Sequence, residues 1–156
     1  MRQLKKLALT RRGFFRGAGL AGMAVLAAGT GVPRRASAEV DALVAEHMGA
    51  GPIAMEKVTL SAPPTAENGT LVRIPIEVDH PMEANNFIQS LGIFVDNNPS
   101  PFVAKFDFTP EVGKIGLELR IKMAKASKVR VICKSNTGKL FGTIKEISVA
   151  EGGCAG

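Results

Sequence analysis

The chain of 156 residues contains no tryptophan, no tyrosine, two histidines and two cysteines. The missing Cys-Trp-Cys arrangement excludes an antibody-type domain. A catalytic metal site takes three convergent protein ligands, and neither His47 nor His80 has a cluster of further ligands near it in the sequence. The chain also lacks a Cys-x-x-Cys pair, a Gly-x-Ser-x-Gly elbow and a glycine-rich phosphate loop after a strand. We therefore expect no self-contained catalytic site, no metal site and no cofactor.

Acidic residues are absent from the first 38 positions, which carry eight of the 20 lysines and arginines. Residues 10–16 (TRRGFFR) match the twin-arginine export pattern. The weakly apolar run of residues 17–32 is too short and too rich in glycine and alanine to span a membrane. It is followed by Ala36-Ser37-Ala38, an Ala-x-Ala cleavage signal. The pattern predicts a signal peptide over residues 1–38, cleavage between Ala38 and Glu39, and export to the periplasm by the twin-arginine route.

Removal of the signal changes the charge of the protein. The precursor carries a net charge of +6, but the mature chain of 118 residues keeps 12 basic and 14 acidic residues, a net charge of −2. Excess basic charge favours nucleic acid or an anionic membrane as a partner, and here that charge lies in the signal. We expect a single domain that binds no nucleic acid and has no membrane anchor in its mature form.

The mature chain alternates apolar and polar residues in short runs separated by turn residues, a pattern typical of β-strands. A helix is expected over residues 40–48, ended by glycines and a proline. The Asn68-Gly69 pair predicts a hairpin turn. Pro75 lacks a backbone N–H, which predicts that its strand lies at an edge of a sheet or carries a bulge. In the last run the alternation of apolar residues changes phase, which predicts a bulge near Lys145-Glu146. We predict an all-β domain over residues 39–150, an immunoglobulin-like antiparallel β-sandwich of about seven strands with a short N-terminal helix and a flexible C-terminal arm. The seven runs cover residues 55–62, 71–78, 88–95, 102–108, 115–123, 128–134 and 140–150.

The sequence ends in a thin peptide that carries a cysteine, Cys154. A Gly-Gly pair precedes it and Ala155-Gly156 follows, so we predict a flexible arm over residues 151–156 in which Gly152, Gly153, Ala155 and Gly156 provide the flexibility. Fully extended, the arm reaches about 20 Å. No lysine, arginine or histidine lies beside the thiol to activate it. The arm therefore suits an attachment point whose reactivity other proteins supply, and a disordered end with an incidental cysteine is the alternative.

The second cysteine, Cys133, shares the phase of Val129 and Val131 and is expected to be a buried core thiol. A disulfide with Cys154 competes with this interpretation, because export permits disulfides. A disulfide requires the two Cα atoms to lie within about 7 Å of each other. A side chain in the middle of a core strand and a residue in a tail beyond the last strand do not readily meet this requirement. Ile132 and Ile144 are expected to be exposed and are candidates for contact with another protein.

The tail resembles the C-terminal Gly-Gly-Cys-Gly-Gly arm of the SoxY family of thiosulfate-oxidation carrier proteins, and the twin-arginine signal also fits that family. The resemblance covers nearly the whole mature chain and departs from the family pattern at Ala155, where glycine is expected, and at Cys133, an extra thiol. Three upstream segments agree with it: His80-Pro81-Met82, residues 94–101 (FVDNNPSP) and residues 106–110 (FDFTP).

The resemblance implies a periplasmic carrier, not an enzyme, that covalently holds thiosulfonate and persulfide intermediates on Cys154. It implies a heterodimer with a small β-sandwich subunit of the SoxZ type, which has no export signal of its own. A c-type haem enzyme would attach thiosulfate, a dimanganese hydrolase would release sulfate, and a sulfane dehydrogenase or sulfur transfer would remove the remaining sulfur. The alternative is a periplasmic binding or assembly module whose Cys154 only forms an intermolecular disulfide.

Overall fold

A computed structural model describes residues 34–151, with the side chains of residues 37–150. The twin-arginine segment and the apolar run of residues 17–32 lie outside the described residues. Within the described part, no helix is long and apolar enough to cross a membrane. This part contains one α-helix, one short 3-10 helix (Pro110–Val112) and nine β-strands. The α-helix is α1 (Arg34–Met48), and the strands are β1 (Ile53–Ala54), β2 (Val58–Leu60), β3 (Thr65–Asn68), β4 (Val72–Val78), β5 (Ile88–Val95), β6 (Phe102–Asp107), β7 (Ile115–Ile121), β8 (Ser127–Ser135) and β9 (Leu140–Glu151).

The strands form two sheets that pack face to face. The larger sheet has the order β1-β9-β8-β5-β6, with β3 also paired to β9, and the smaller sheet has the order β2-β4-β7. Strands pair antiparallel except β1 with β9 and β3 with β9, which are parallel. The predicted β-sandwich with an N-terminal helix is confirmed. Nine strands replace the expected seven because two short strands were not predicted, β1 just before the first predicted run and β3 just after it.

Apolar side chains on the facing surfaces of the two sheets form the main core. Every second residue of β4 is buried, namely Val72, Ile74, Ile76 and Val78. They meet side chains of the larger sheet such as Leu91. Each buried aliphatic side chain gains about 1.5–3 kcal/mol relative to an exposed one. The alternation in sequence therefore fixes which way each strand faces.

Helix α1 covers the outer surface of the larger sheet and forms a second apolar cluster there. Ile132 lies beneath the helix with 1% of its surface exposed, so the expectation that it is exposed is wrong, whereas Ile144 is 41% exposed as expected. The pattern misled because β8 is buried on both faces. Gly92 permits the close approach, since a Cβ at that position would lie 2.7 Å from Met48 Sδ. The cluster consists of Val40, Val44, Met48, Phe94, Ile132 and Leu140.

An ion-pair network centred on the buried Arg130 fastens α1 to the sheet. Arg130 of β8 donates through Nε and Nη2 to the two carboxylate oxygens of Asp96, each at 2.7 Å. Its Nη1 donates to Asp41 of α1, and Nη2 also donates to the Ser37 hydroxyl at 3.2 Å. The hydrogen bonds to Asp96, and to a smaller extent the one to Asp41, raise the pKa of Arg130. Desolvation by burial acts in the opposite direction, but the net effect is a raised pKa. The guanidinium thus stays charged and joins the helix to β8 and to the end of β5.

The predicted hairpin at Asn68-Gly69 is wrong. A turn does form there, because Asn68 Oδ1 accepts a hydrogen bond from the Thr70 N–H at 2.8 Å. However, this turn connects β3 of the larger sheet to β4 of the smaller one, and the two strands do not pair. Local turn chemistry was predicted correctly, and the partners of the strands were not.

The predictions for Pro75 and for the last strand are also wrong. Pro75 lies in β4, the central strand of the smaller sheet, and the pairing of β4 with β7 is continuous across it. The Pro75 carbonyl accepts a hydrogen bond from the N–H of Ser61, which lies just beyond the end of β2. The N–H that proline lacks would face the same side, where pairing with β2 has already ended, so no hydrogen bond of the sheet is lost. Strand β9 has no bulge near Lys145-Glu146, since its register with β8 is unbroken. The change of phase arises because Leu140 lies under α1 and Ile147 lies in the main core.

Replacing Arg130 by alanine should lower the free energy of unfolding by about 3–5 kcal/mol, because the buried carboxylate of Asp96 would lose its counter-charge. Arg73→Ala is the matched control: its ion pair with Glu118 is exposed, and its loss should cost at most about 1 kcal/mol. Urea denaturation of the mature chain, followed by circular dichroism, measures both values. Equal losses in the two variants would contradict the role given to Arg130.

Candidate functional site

The predicted arm continues from β9, whose last residues leave the sandwich beside β3. The antiparallel pairing of β9 with β8 ends where Ile147 lies opposite Ser127. Beyond that point β9 pairs through its other edge with β3, in parallel, and Glu151 lies opposite Asn68. The strand therefore remains attached to the sandwich up to Glu151, three residues before Cys154.

Backbone and side-chain contacts both fix the direction of this strand end. The Ser148 N–H donates to the Pro64 carbonyl at 2.9 Å. On the inner side, Val149 packs against the main core and Ala66, its neighbour on β3, is buried. Sequence reasoning missed β3, because a four-residue strand with one buried side chain carries almost no alternation signal. The arm begins at an anchored point of the fold.

The arm was predicted to begin at Glu151, which is the last residue of β9, and residues 152–156 lie outside the described part of the chain. The flexibility of the arm and the role of Cys154 therefore remain predictions. The structure supplies the point from which the arm starts. A segment of three residues spans about 10 Å at most. The Cα atom of Cys154 therefore lies within about 10 Å of that of Glu151. The arm residues concerned are Gly152, Gly153, Cys154, Ala155 and Gly156.

Cys133 is a free thiol in β8 and is fully buried, as predicted. It lies opposite Phe141, ten residues before Glu151 on β9, a separation of roughly 33 Å along the strand. The short segment from Glu151 to Cys154 does not span that distance, so an intramolecular disulfide is out of reach. Burial raises the pKa of the Cys133 thiol to about 12. Cys133 is therefore protonated and unreactive at neutral pH.

The two histidines lie on opposite sides of the larger sheet. His47, in the last turn of α1, stacks on Phe102 with the ring centroids 3.8 Å apart. His80 lies beside Phe141 of the main core, with centroids 5.4 Å apart. Among the described residues, no group of three or more histidine, cysteine, aspartate or glutamate side chains is placed to hold a metal ion. Both rings act as packing partners of phenylalanines.

The predicted cleavage junction between Ala38 and Glu39 lies inside α1, where both residues are exposed. Ser37 precedes the junction and Asp41 follows it, and both bind Arg130. Cleavage at this bond would remove the hydroxyl contact and keep the ion pair, so the helix would stay fastened to the sheet. The junction itself remains a prediction.

Comparison with known proteins identifies the family. Residues 44–154 match the sequence model of a family described as sulfur oxidation protein SoxY. The chain belongs to the SoxY family. Its fold is similar to the structure of the sulfur carrier protein SoxY from Chlorobium limicola f thiosulfatophilum, with 31% identity and a TM-score of 0.62 over 72% of this chain and 97% of that chain. No curated protein matches the sequence.

Other similar structures share only the sandwich with this SoxY-family chain. A superoxide reductase (neelaredoxin) from Ignicoccus hospitalis has 20% identity and a TM-score of 0.54, covering 60% of this chain and 80% of its own. A putative superoxide reductase from Thermotoga maritima has 20% identity and a TM-score of 0.51, covering 62% and 89%. Identities this low establish a common architecture and carry no information on chemistry.

The two thiols should differ sharply in reactivity. At pH 8 and in the native state, iodoacetamide should modify the mature chain once, at Cys154, because a pKa of about 12 leaves roughly one Cys133 thiol in ten thousand ionised. Cys154→Ser should remove that modification, and denaturation before labelling should add one at Cys133. Intact-mass measurement and peptide mapping give the count and the positions. Native labelling at Cys133 would contradict the burial.

Proposed function

We propose that this protein is a periplasmic sulfur carrier that covalently holds sulfur-oxidation intermediates on Cys154 and presents them to partner enzymes. The observation that carries the proposal is the extent of the family match, which runs to residue 154 and so includes the arm cysteine. The similar structure from Chlorobium limicola f thiosulfatophilum is that of a sulfur carrier protein. We infer a carrier rather than a catalyst.

The placement of the two thiols supports this role. Cys133 is buried and protonated, so it does not compete for substrate. Cys154 is the one other cysteine of the chain and lies within about 10 Å of an anchored strand end. A thiol on a short tether enters a narrow site of another protein while the sandwich stays outside it.

In the first proposed step, the Cys154 sulfur forms a bond with the outer sulfur of thiosulfate. The thiol loses its proton, and two electrons pass to a c-type haem enzyme, leaving a thiosulfonate adduct on Sγ. In the second step, a dimanganese hydrolase uses water to break the bond between the outer sulfur and the sulfonate group. One sulfate and one proton leave, and a persulfide remains on Cys154.

In the last step, another thiol can take the outer sulfur as its own persulfide, which returns the free Cys154 thiol. Alternatively, a sulfane dehydrogenase oxidises the outer sulfur to a sulfonate group, taking three oxygen atoms from water and passing six electrons to its acceptor, and hydrolysis then releases sulfate and the free thiol. We propose that the carrier does this work as a heterodimer with a small β-sandwich subunit of the SoxZ type. Since a twin-arginine passenger crosses the membrane folded, a subunit without its own signal travels with it. The chemistry at each step belongs to the partner enzymes, and the carrier contributes one thiol and its placement.

Mass spectrometry tests the carrier role directly. Incubation of the heterodimer with thiosulfate and the c-type haem enzyme should add the mass of one thiosulfate to the wild-type chain, and the hydrolase should then reduce the addition to one sulfur atom. Cys154→Ser should abolish both additions, and Cys133→Ala should keep both. If the only new species is a disulfide-linked dimer, Cys154 serves an assembly module and the carrier role is wrong.

The export route has its own test. Replacing Arg11 and Arg12 together by lysine should leave the precursor in the cytoplasm, because the paired arginines are the recognised feature of the signal. Cell fractionation and intact-mass measurement should show a periplasmic chain that begins at Glu39 for the wild type and an uncleaved cytoplasmic chain for the variant. Periplasmic mature protein from the double variant would exclude this route.

A further inference from the structure

An open groove of about 500 Å³ lies between β3 and the start of β4, beside the point where the arm begins. Its most prominent side chain is Leu71, which is 61% exposed and is the most exposed large apolar side chain in the described part of the chain. Ala66 and Val72 form part of the lining, and Glu67 and Arg73 border it. The groove thus offers an apolar contact flanked by one acidic and one basic residue.

The turn that presents Leu71 is held rigidly. Asn68 Oδ1 accepts hydrogen bonds from the N–H and the hydroxyl of Thr70, at 2.8 and 2.7 Å. The Met123 N–H donates to the Gly69 carbonyl at 2.7 Å and ties the turn to the end of β7. A partner that binds Leu71 therefore orders little of the chain, which reduces the entropic cost of association.

Exposure alone does not mark a docking surface, because single exposed apolar side chains are common. Met55 shows this, since it is 58% exposed and lies after β1, at the other end of β9. What distinguishes Leu71 is its position. It shares the groove with Asn68, and Asn68 lies opposite Glu151, where neighbouring strands are about 4.8 Å apart.

The length of the arm determines what must approach this groove. Glu151 and Cys154 are separated by about 10 Å at most, and any depth of the partner's site uses part of that length. The entrance of a site that accepts Cys154 therefore lies less than 10 Å from Glu151. A protein surface surrounding that entrance covers the neighbouring strand and the groove beside it.

We propose that this groove, with Leu71 as its apolar contact, is the docking surface for the entrance of the enzyme that attaches thiosulfate to Cys154. The proposal rests on the carrier function stated above. The groove serves association, so its removal raises the carrier concentration needed for reaction and does not change the chemistry at the thiol.

The test compares two variants with matched exposure, Leu71→Asp at the arm and Met55→Asp at the far end of β9. Each is prepared as the mature chain in its heterodimer, and formation of the thiosulfate adduct by the c-type haem enzyme is measured against carrier concentration. Leu71→Asp should raise KM for the carrier on the order of tenfold with kcat nearly unchanged, because it loses the burial of one leucine. Met55→Asp should match the wild type, and iodoacetamide should modify Cys154 at the same rate in all three proteins.

Thr65 also lines the groove, and Thr65→Arg is a second variant that should raise KM for the carrier without changing kcat. Equal KM values for wild type, Leu71→Asp and Thr65→Arg would overturn the docking surface while leaving the carrier function intact. Loss of the heterodimer in Leu71→Asp, measured by light scattering, would assign Leu71 to the subunit interface and also overturn it. Failure of the wild type to form the adduct would instead defeat the carrier function itself.

Discussion

The pairing of β9 along its length is the constraint on which the other features depend. Its first part lies between β1 and β8, and its last part is held by β3 alone within the described residues. Its register with β8 is unbroken from Leu140 to Ile147, and the strand continues to a length of twelve residues. It places the start of the arm at one end of the sandwich and the residues beneath α1 at the other.

This spacing separates two thiols that would otherwise compete. Cys133 lies opposite the first part of β9, buried among side chains from both sheets, and desolvation there keeps it protonated. Cys154 follows the other end of the strand. In an oxidising compartment, two cysteines within bonding distance tend to form a disulfide. The length of β9 keeps Cys133 too far from the end of the strand for that closure, which is consistent with the attachment role proposed for Cys154.

Features that depend on the local sequence pattern were predicted correctly. Predictions failed where the position of a residue depends on contacts with segments that are distant in the sequence. Alternation in β4 and β7 identified strands that face the core, and the phase of Cys133 identified a buried thiol. Ile132 was misassigned because only the docking of α1 buries the outer face of β8. The role of Arg130 was equally invisible, since its partners Asp41 and Asp96 come together only when the helix lies on the sheet.

The candidate site shows the same difference between features that depend on local sequence and features that depend on distant contacts. The terminal glycines and the cysteine are readable from sequence because a flexible tether needs only its own residues. Strand β3, which anchors the tether, was missed because a parallel pairing across some 80 residues leaves no local mark. The turn at Asn68 was recognised as a turn, but its proximity to the arm follows from β3 and not from its own chemistry.

Under the proposed function, a carrier with one reactive thiol on a short arm presents nearly the same surface to each enzyme that it serves. Networks of hydrogen bonds and charges select one partner, because a mismatched partner leaves buried polar groups unpaired. An apolar contact is non-directional, so it can form with partner surfaces whose side chains are arranged differently. The proposed docking surface would meet this requirement, because the single exposed leucine beside the arm would give a modest affinity without fixing a unique orientation. Release matters as much as binding for a shuttle, and a contact of this size limits the residence time of each partner.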